Sequence, residues 1–327
     1  MSMPPLAAFP KIDAHFHSTS YDECYQKFAA SYNVRFVNIN TDANVFPSIP
    51  VQEQVALSYA KLNPDHFAYL CSFEMAGWAD KNWYEAVLAS LRQSLRNGAV
   101  GVKIWKNIGI EIRKPDNSFL MVDDPFFAPL FEFLQENQIP VLAHLGEPKN
   151  CWLPLDRMTS KRNRAYYEKN PQYHAYLHPE IPSYDRQIEA RDNILKQYPG
   201  LVFVGAHLGS LEWSCEELAL RFDRYSNFMV DLSSRLGHLQ IQSLASPAKA
   251  RDFIIQYADR IMYGTDAYNN PDKFITSLTN DWKYFTTGDE CQSAEVDGVF
   301  KGIQLPEEIL HKIYFANAKR IYRRLVF

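Results

Sequence analysis

Short, nearly continuous apolar runs alternate along the chain with longer segments whose apolar residues recur every three or four positions. The runs are KIDAHFH (11–17), VRFVNIN (34–40), FAYLCSFE (67–74), AVGVKIW (99–105), IPVLAHLG (139–146), LVFVGAHLG (201–209), NFMVDLS (227–233) and IMYGTDA (261–267). Runs with little or no polar face are what strands buried on both sides require. Between them, WYEAVLASLRQSLRNG (83–98), PFFAPLFEFLQENQ (125–138), SCEELALRFDRYS (214–226) and PAKARDFIIQYADR (247–260) carry helical periodicity, the first stopped by Gly98 and the third started by Ser214. Eight such β-then-α units predict a parallel sheet closed into a TIM (β/α)₈ barrel. No low-complexity linker interrupts them, so one barrel domain is expected over residues 1–327. Two connections are long, residues 147–190 after the fifth strand and 268–305 after the eighth, and on the catalytic face of a barrel such loops are expected to be lids.

Composition narrows the partners. With 327 residues, 46% of them hydrophobic, the chain can bury a large core. Its formal charge is −4, and no basic run is longer than the terminal KRIYRR, so neither nucleic acid nor an anionic membrane is an expected partner. No apolar stretch approaches the ~20 residues of a membrane span, and the opening MSMPPLAAF lacks the basic start and apolar run of a signal peptide. Cys24, Cys71, Cys151, Cys215 and Cys291 are odd in number and form no CxxC, which suits reduced thiols and a cytoplasmic location. The expected partner is a small-molecule substrate, and a homo-oligomer is compatible with these features.

The chemistry gathers where the strands end. His15 and His17 are two residues apart on an extended run, so both rings face one side and can reach one point. His144 ends the fifth run, His207 the sixth and Asp266 the eighth. All five therefore fall on the face where barrel enzymes hold their reactive groups. Imidazoles with a carboxylate suit a divalent transition metal, and three or four ligands with one position open describe a catalytic rather than a structural site. The competing account is a set of histidines hydrogen-bonded in the barrel mouth.

At DAHFH, VLAHLGEP, FVGAHLGS, MYGTDA and the closing helix KIYFANAKRIY the chain resembles the metal-dependent amidohydrolase superfamily, in particular its amidohydrolase-2 (carboxymuconate-semialdehyde decarboxylase-like) branch. The resemblance runs in order through nearly the whole chain. It implies that His15, His17, His144 and Asp266 hold one divalent metal, zinc first with manganese or iron as options, and that Asp266 and His207 act in proton transfer. A metal of this kind lowers the pKa of a water from 15.7 toward ~7.

Lys103, near the end of the fourth run, has three readings: a carbamate bridging two metals, as in some binuclear relatives, a free ammonium facing the substrate, or a structural ion pair. The free ammonium beside a single metal is the one adopted. Lys106 is expected to be solvated. Trp105, Glu147, Arg235 and Tyr268 follow strand ends and complete the substrate-contact set with Lys103; Pro148 and His238 lie beside it, and Arg235 suits two-point binding of a carboxylate. His174 and His178 are expected to serve the loop. The expected activity is a metal-dependent hydrolase using activated water on an amide, ester or lactone of a small substrate that can be anionic. The alternative is a decarboxylase or hydratase on the same scaffold, and a third class is a binding barrel without turnover.

Overall fold

The computed structural model describes residues 5–326; residues 1–4, in the leader, and residue 327 lie outside them. Eight of the nine parallel strands are β1 (Lys11–His17), β2 (Val34–Ile39), β3 (Phe67–Cys71), β4 (Gly101–Ile104), β5 (Val141–Ala143), β6 (Phe203–Gly205), β7 (Phe228–Asp231) and β8 (Ile261–Met262). The ninth, β9 (Ala267–Tyr268), is the second half of the last apolar run. The sheet order is β8-β7-β6-β5-β4-β3-β2-β1-β9, with β8 on β7 and β9 on β1. The run IMYGTDAY thus bridges the first and seventh strands and closes the barrel.

Alternation sorts the strand residues into two cores. Ile12, Val37, Leu70, Leu142, Val204 and Met262 point into the barrel, where Ala318, Ile321 and Tyr322 of the closing segment join them. Phe36, Tyr69, Val102, Val141, Phe203 and Val230 point outward under the helices. The expected helices form as Trp83–Arg96, Ala128–Glu136 behind a short turn at Pro125–Phe127, Cys215–Arg224 and Pro247–Gln256. The first buries Trp83, Val87 and Leu91, one face at four-residue spacing, and Gly98 follows it at φ +107°. In the third, Ser214 accepts a hydrogen bond from the Glu217 amide.

Two runs depart from simple strands. β1 pairs Asp13 with Phe36 but Phe16 with Asn38, three steps against two. This bulge puts Phe16 in the outer core although Ala14 lies in the inner one, and so turns His15 and His17 toward the barrel mouth. The eighth run was expected to be one strand over 261–267, but it breaks between β8 and β9. A Cβ on Gly264 would lie 2.8 Å from the His15 Cβ, so the chain passes too close to β1 for ladder geometry. Asp13 accepts hydrogen bonds from the Thr265 amide and hydroxyl across the break.

The two long connections are not structureless. Residues 147–190 hold the helix Lys161–Lys169, several single turns and the start of the helix Tyr184–Gln197. Residues 268–305 hold the helix Pro271–Thr286 and the hairpin of β10 (Glu290–Cys291) and β11 (Phe300–Lys301).

In the helix Pro271–Thr286, Asp281 accepts a hydrogen bond from the Tyr263 hydroxyl at 2.9 Å, and burial raises its pKa to about 7. Between the ordinary carboxylate pKa of about 4 and that value, the folded chain holds a proton that the unfolded chain has released. Its contribution to stability therefore falls as pH rises through this window. Asp281→Asn, neutral throughout, is expected to gain thermal midpoint relative to the wild type progressively from pH 4 to pH 8. A difference that does not change with pH would refute this.

Candidate metal centre

Each histidine at the barrel mouth has one ring nitrogen committed. His15 Nδ1 lies 2.7 Å from Asp231 Oδ2, and His17 Nδ1 lies 3.0 Å from the Ile39 carbonyl. His207 Nδ1 lies 2.8 Å from the Ser233 carbonyl. A carboxylate or carbonyl only accepts, so these three Nδ1 atoms carry the hydrogens of the neutral rings; the Nε2 atoms of His15 and His17 are left for the centre of the mouth, and that of His207 also faces His144.

The fourth wall is Asp266, between the broken halves of the last strand at φ +55°, its amide donating to the His15 carbonyl at 2.8 Å. Its Oδ1 lies 3.4 Å from His17 Nε2 and 3.6 Å from His15 Nε2, and Ser234 Oγ donates to its Oδ2 at 2.6 Å. Burial pushes its carboxyl up, but the hydrogen bond with His17 and the rings of His207 and His15 outweigh that and hold it well below the usual range. An ionised oxygen and two imidazole Nε2 atoms this close are held together either by a proton on a ring or by a cation among them. Donor atoms of His15, His207 and Asp266 all lie within 4.8 Å of one another. The residues fit a divalent metal.

His144, placed among the ligands by the resemblance, packs against the ring of His207. Its Nδ1 is 3.1 Å from His207 Nε2, and its buried Nε2 has no hydrogen-bond partner among the described residues. Burial, then His207 and the cations Lys106, Lys103 and Arg235, hold its pKa well below the ordinary value, so the ring is neutral. His207 is lowered in the same way, first by burial.

Asp231, ending β7, went unnoticed in the sequence. Fully buried, it accepts hydrogen bonds from His15 Nδ1, the His207 amide at 2.8 Å, the Ser233 amide at 3.1 Å and the Ser233 hydroxyl. Burial opposes its charge, yet His15 and its hydrogen bond, together with His207, bring the pKa down to about 2.

Beside the donors lies a cavity of about 260 Å³ lined by Trp105, Glu147, His144, His207, Arg235 and Asp266, among others. Of the expected substrate contacts, Trp105, Glu147 and Arg235 line it. Lys103 lies beneath, its Nζ fully buried without a partner among the described residues and its pKa lowered to about 8 by burial. Tyr268 stands outside, 41% exposed, with its ring 4.9 Å from Phe46. Lys106, expected in solvent, is ion-paired with Glu147 on the cavity wall and lies 5.0 Å from the Trp105 ring centre. His238 is buried away from the cavity, its pKa lowered by burial to about 3. His174 and His178 donate to carbonyls of their own loop. Above the cavity the two long connections meet: Glu295 accepts from Ser160, its carbonyl accepts from the Lys161 amide at 3.0 Å, and its carboxylate lies 3.3 Å from Arg162.

A family model described as amidohydrolase matches residues 72–324. No curated protein matches the chain. Among solved structures, 2,6-dihydroxybenzoate decarboxylase complexed with 2,6-dihydroxybenzoate is 15% identical, with 96% of this chain and 99% of that one covered and a TM-score of 0.59. The 5-carboxyvanillate decarboxylase from Novosphingobium aromaticivorans, complexed with manganese and a nitrobenzoic acid, is 14% identical over 98% of both chains with a TM-score of 0.55. The 4-oxalomesaconate hydratase from Rhodopseudomonas palustris is 14% identical over 96% of both chains with a TM-score of 0.52. At such identities the likeness speaks for a shared barrel fold.

Partners that orient metal-binding histidines commonly contribute 10- to 100-fold in affinity. Asp231→Asn is expected to keep the fold and lose affinity for added Mn²⁺ by that factor in a chelator competition. His15→Ala/His17→Ala is expected to abolish binding. Unchanged Mn²⁺ affinity in both variants would refute the centre.

Proposed function

The chain belongs to the amidohydrolase family, and from that premise we propose that it is a metal-dependent lyase that decarboxylates a small carboxylate substrate. The observation that carries this reading is Arg235. It lines the cavity beside His144, His207 and Asp266, yet among the described residues its guanidinium makes one hydrogen bond, from Nη1 to the Ser234 carbonyl at 3.1 Å. A guanidinium has five donors in a planar fork, and a carboxylate is the partner that fork fits. The decarboxylases and the hydratase among the structural neighbours support a lyase on this scaffold.

His15, His17 and Asp266 would hold one divalent metal. The tight grouping of His15, His207 and Asp266 supports His207 as a further ligand, where the sequence reading had assigned His144. When bound, such a metal supplies a Lewis acid that polarises a substrate oxygen. Arg235 orients the substrate by its carboxylate, and Trp105 supplies a flat apolar wall. As the C–C bond to the leaving carboxylate breaks, carbon dioxide departs and the electron pair remains on the substrate carbon. The proton that this carbon takes up comes from solvent, and His144 Nε2, an unpartnered lone pair on the cavity wall, is placed to relay it. Lys103, fully buried below, adds a cation or a donor that favours an anionic substrate.

Hydrolysis is the second reading, favoured by Asp266, whose ionised carboxylate can accept a proton from water. The two are separated by the product. Supplied with Mn²⁺ or Zn²⁺, the purified protein is expected to release carbon dioxide from members of an aromatic carboxylate panel and no acid from esters or lactones; the reverse would establish hydrolysis. Arg235→Met is expected to raise KM about tenfold or more with its metal content intact. Lys103→Ala should also keep its metal while losing turnover or substrate affinity, and activation by bicarbonate would instead mark Lys103 as a carbamate.

A further inference from the structure

The cavity over the donors has a neighbour. A second space of about 540 Å³ is lined by Val45, Cys151, Trp152, Tyr173 and Ile181, among others, and shares Trp105, Lys106, Glu147 and Tyr166 with the first. The Lys106–Glu147 ion pair, with Lys106 over the Trp105 ring, lines both spaces. The inner space carries the ionic groups. The outer one is walled by aromatic and aliphatic side chains, and its mouth leaves Val45 74%, Tyr173 54% and Tyr166 48% exposed. Exposing such groups to water is unfavourable unless something apolar covers them.

Charge narrows what that is. Lys106 and Glu147 neutralise each other. The remaining carboxyl on the outer wall, Glu111, is pushed above its ordinary range by burial and repels an anion when ionised. No cation besides Lys106 lines this space among the described residues. Flat aromatic faces with no free positive charge suit an uncharged aryl group.

We propose that the outer cavity is a second substrate subsite, taking an uncharged aryl portion of the molecule whose carboxylate lies against Arg235 in the inner cavity. This rests on the carboxylate reading of the inner cavity and extends it: the substrate is bipartite, with one acidic end and one apolar end. A distal second acid is disfavoured by Glu111.

Calorimetric titration of the Mn²⁺-supplemented protein with three acids and one alcohol tests this. Biphenyl-4-carboxylate should bind at least about tenfold more tightly than benzoate, and biphenyl-4,4′-dicarboxylate no more tightly than benzoate. Val45→Trp and Gln172→Trp fill the outer mouth from exposed positions and should abolish the biphenyl advantage without lowering the thermal midpoint. Equal affinities for benzoate and biphenyl-4-carboxylate, or an advantage that persists in both filled variants, overturn the subsite. Arg235→Met should weaken both monocarboxylates by the same factor. If benzoate binding ignores that substitution, the inner-cavity reading fails, and uncharged biphenyl-4-methanol then decides the outer one. Binding of the alcohol that is lost in the filled variants sustains the subsite, and no binding, or binding unchanged by filling, overturns it.

Discussion

Two of the histidines at the barrel mouth, from strands far apart in sequence, are referred to one buried carboxylate. Asp231 accepts from the ring of His15, the backbone of His207 and both the amide and hydroxyl of Ser233. With one contact it sets the tautomer of a strand-one histidine, with another the backbone position of a strand-six histidine, and through Ser233 it places the carbonyl that fixes the second ring. A neutral residue here would leave these donors without a charged acceptor in a region where burial makes each unmade bond costly. The low pKa of Asp231 follows from the same concentration of donors.

Around this anchor the charges are arranged with little direct pairing. Arg235 is surrounded at a distance by Glu212, Glu147 and Glu295, which raise its pKa against the effect of burial. Glu212 spends one oxygen on the Lys149 amide and has its other oxygen buried without a partner among the described residues. The guanidinium is thus kept charged by its surroundings while most of its donors stay uncommitted. Burial lowers the pKa of His17, His144 and His207, which favours rings that keep a lone pair. Glu295 adds a mechanical element, since it clasps segments that are more than a hundred residues apart in sequence, and movement of either long connection must break hydrogen bonds to the other.

Much of this was legible in the chain because parallel strands buried on both faces read as plain apolar runs. The HxH of β1 and the histidines closing VLAH and VGAH marked the mouth before any geometry was known. What escaped had no local signature. Asp231 in FMVDLS looks like any acid ending a strand, and its role comes from neighbours 216 and 24 residues away. The break in the last strand arises from a close pass against His15, which periodicity along one run does not encode. The same limit applies to β1, where the expectation of two rings on one face was sound but the bulge that delivers them inward depends on pairing with β2. His144 and His207 read alike in sequence, both following an apolar run and preceding Leu-Gly, and only the fold groups His207 with Asp266 and packs His144 against the His207 ring.

β6 ends in a turn of unusual hand. His207, Leu208, Gly209 and Ser210 all have φ near +60°, a left-handed stretch that costs roughly 1–2 kcal/mol for each non-glycine residue. What offsets it comes from elsewhere in the chain, the Asp231 carboxylate and the Ser233 carbonyl of the β7 end. Other neighbours hold the stretch too: the Tyr184 hydroxyl donates to the Ser210 carbonyl, Arg191 to the Gly209 carbonyl, and the Ser210 hydroxyl to the Leu145 carbonyl at 2.9 Å. The geometry of the histidine at its start is thus a shared product of three neighbours, the end of β5, the helix Tyr184–Gln197 and the end of β7, and loosening any one of them would reach the mouth of the barrel through the backbone.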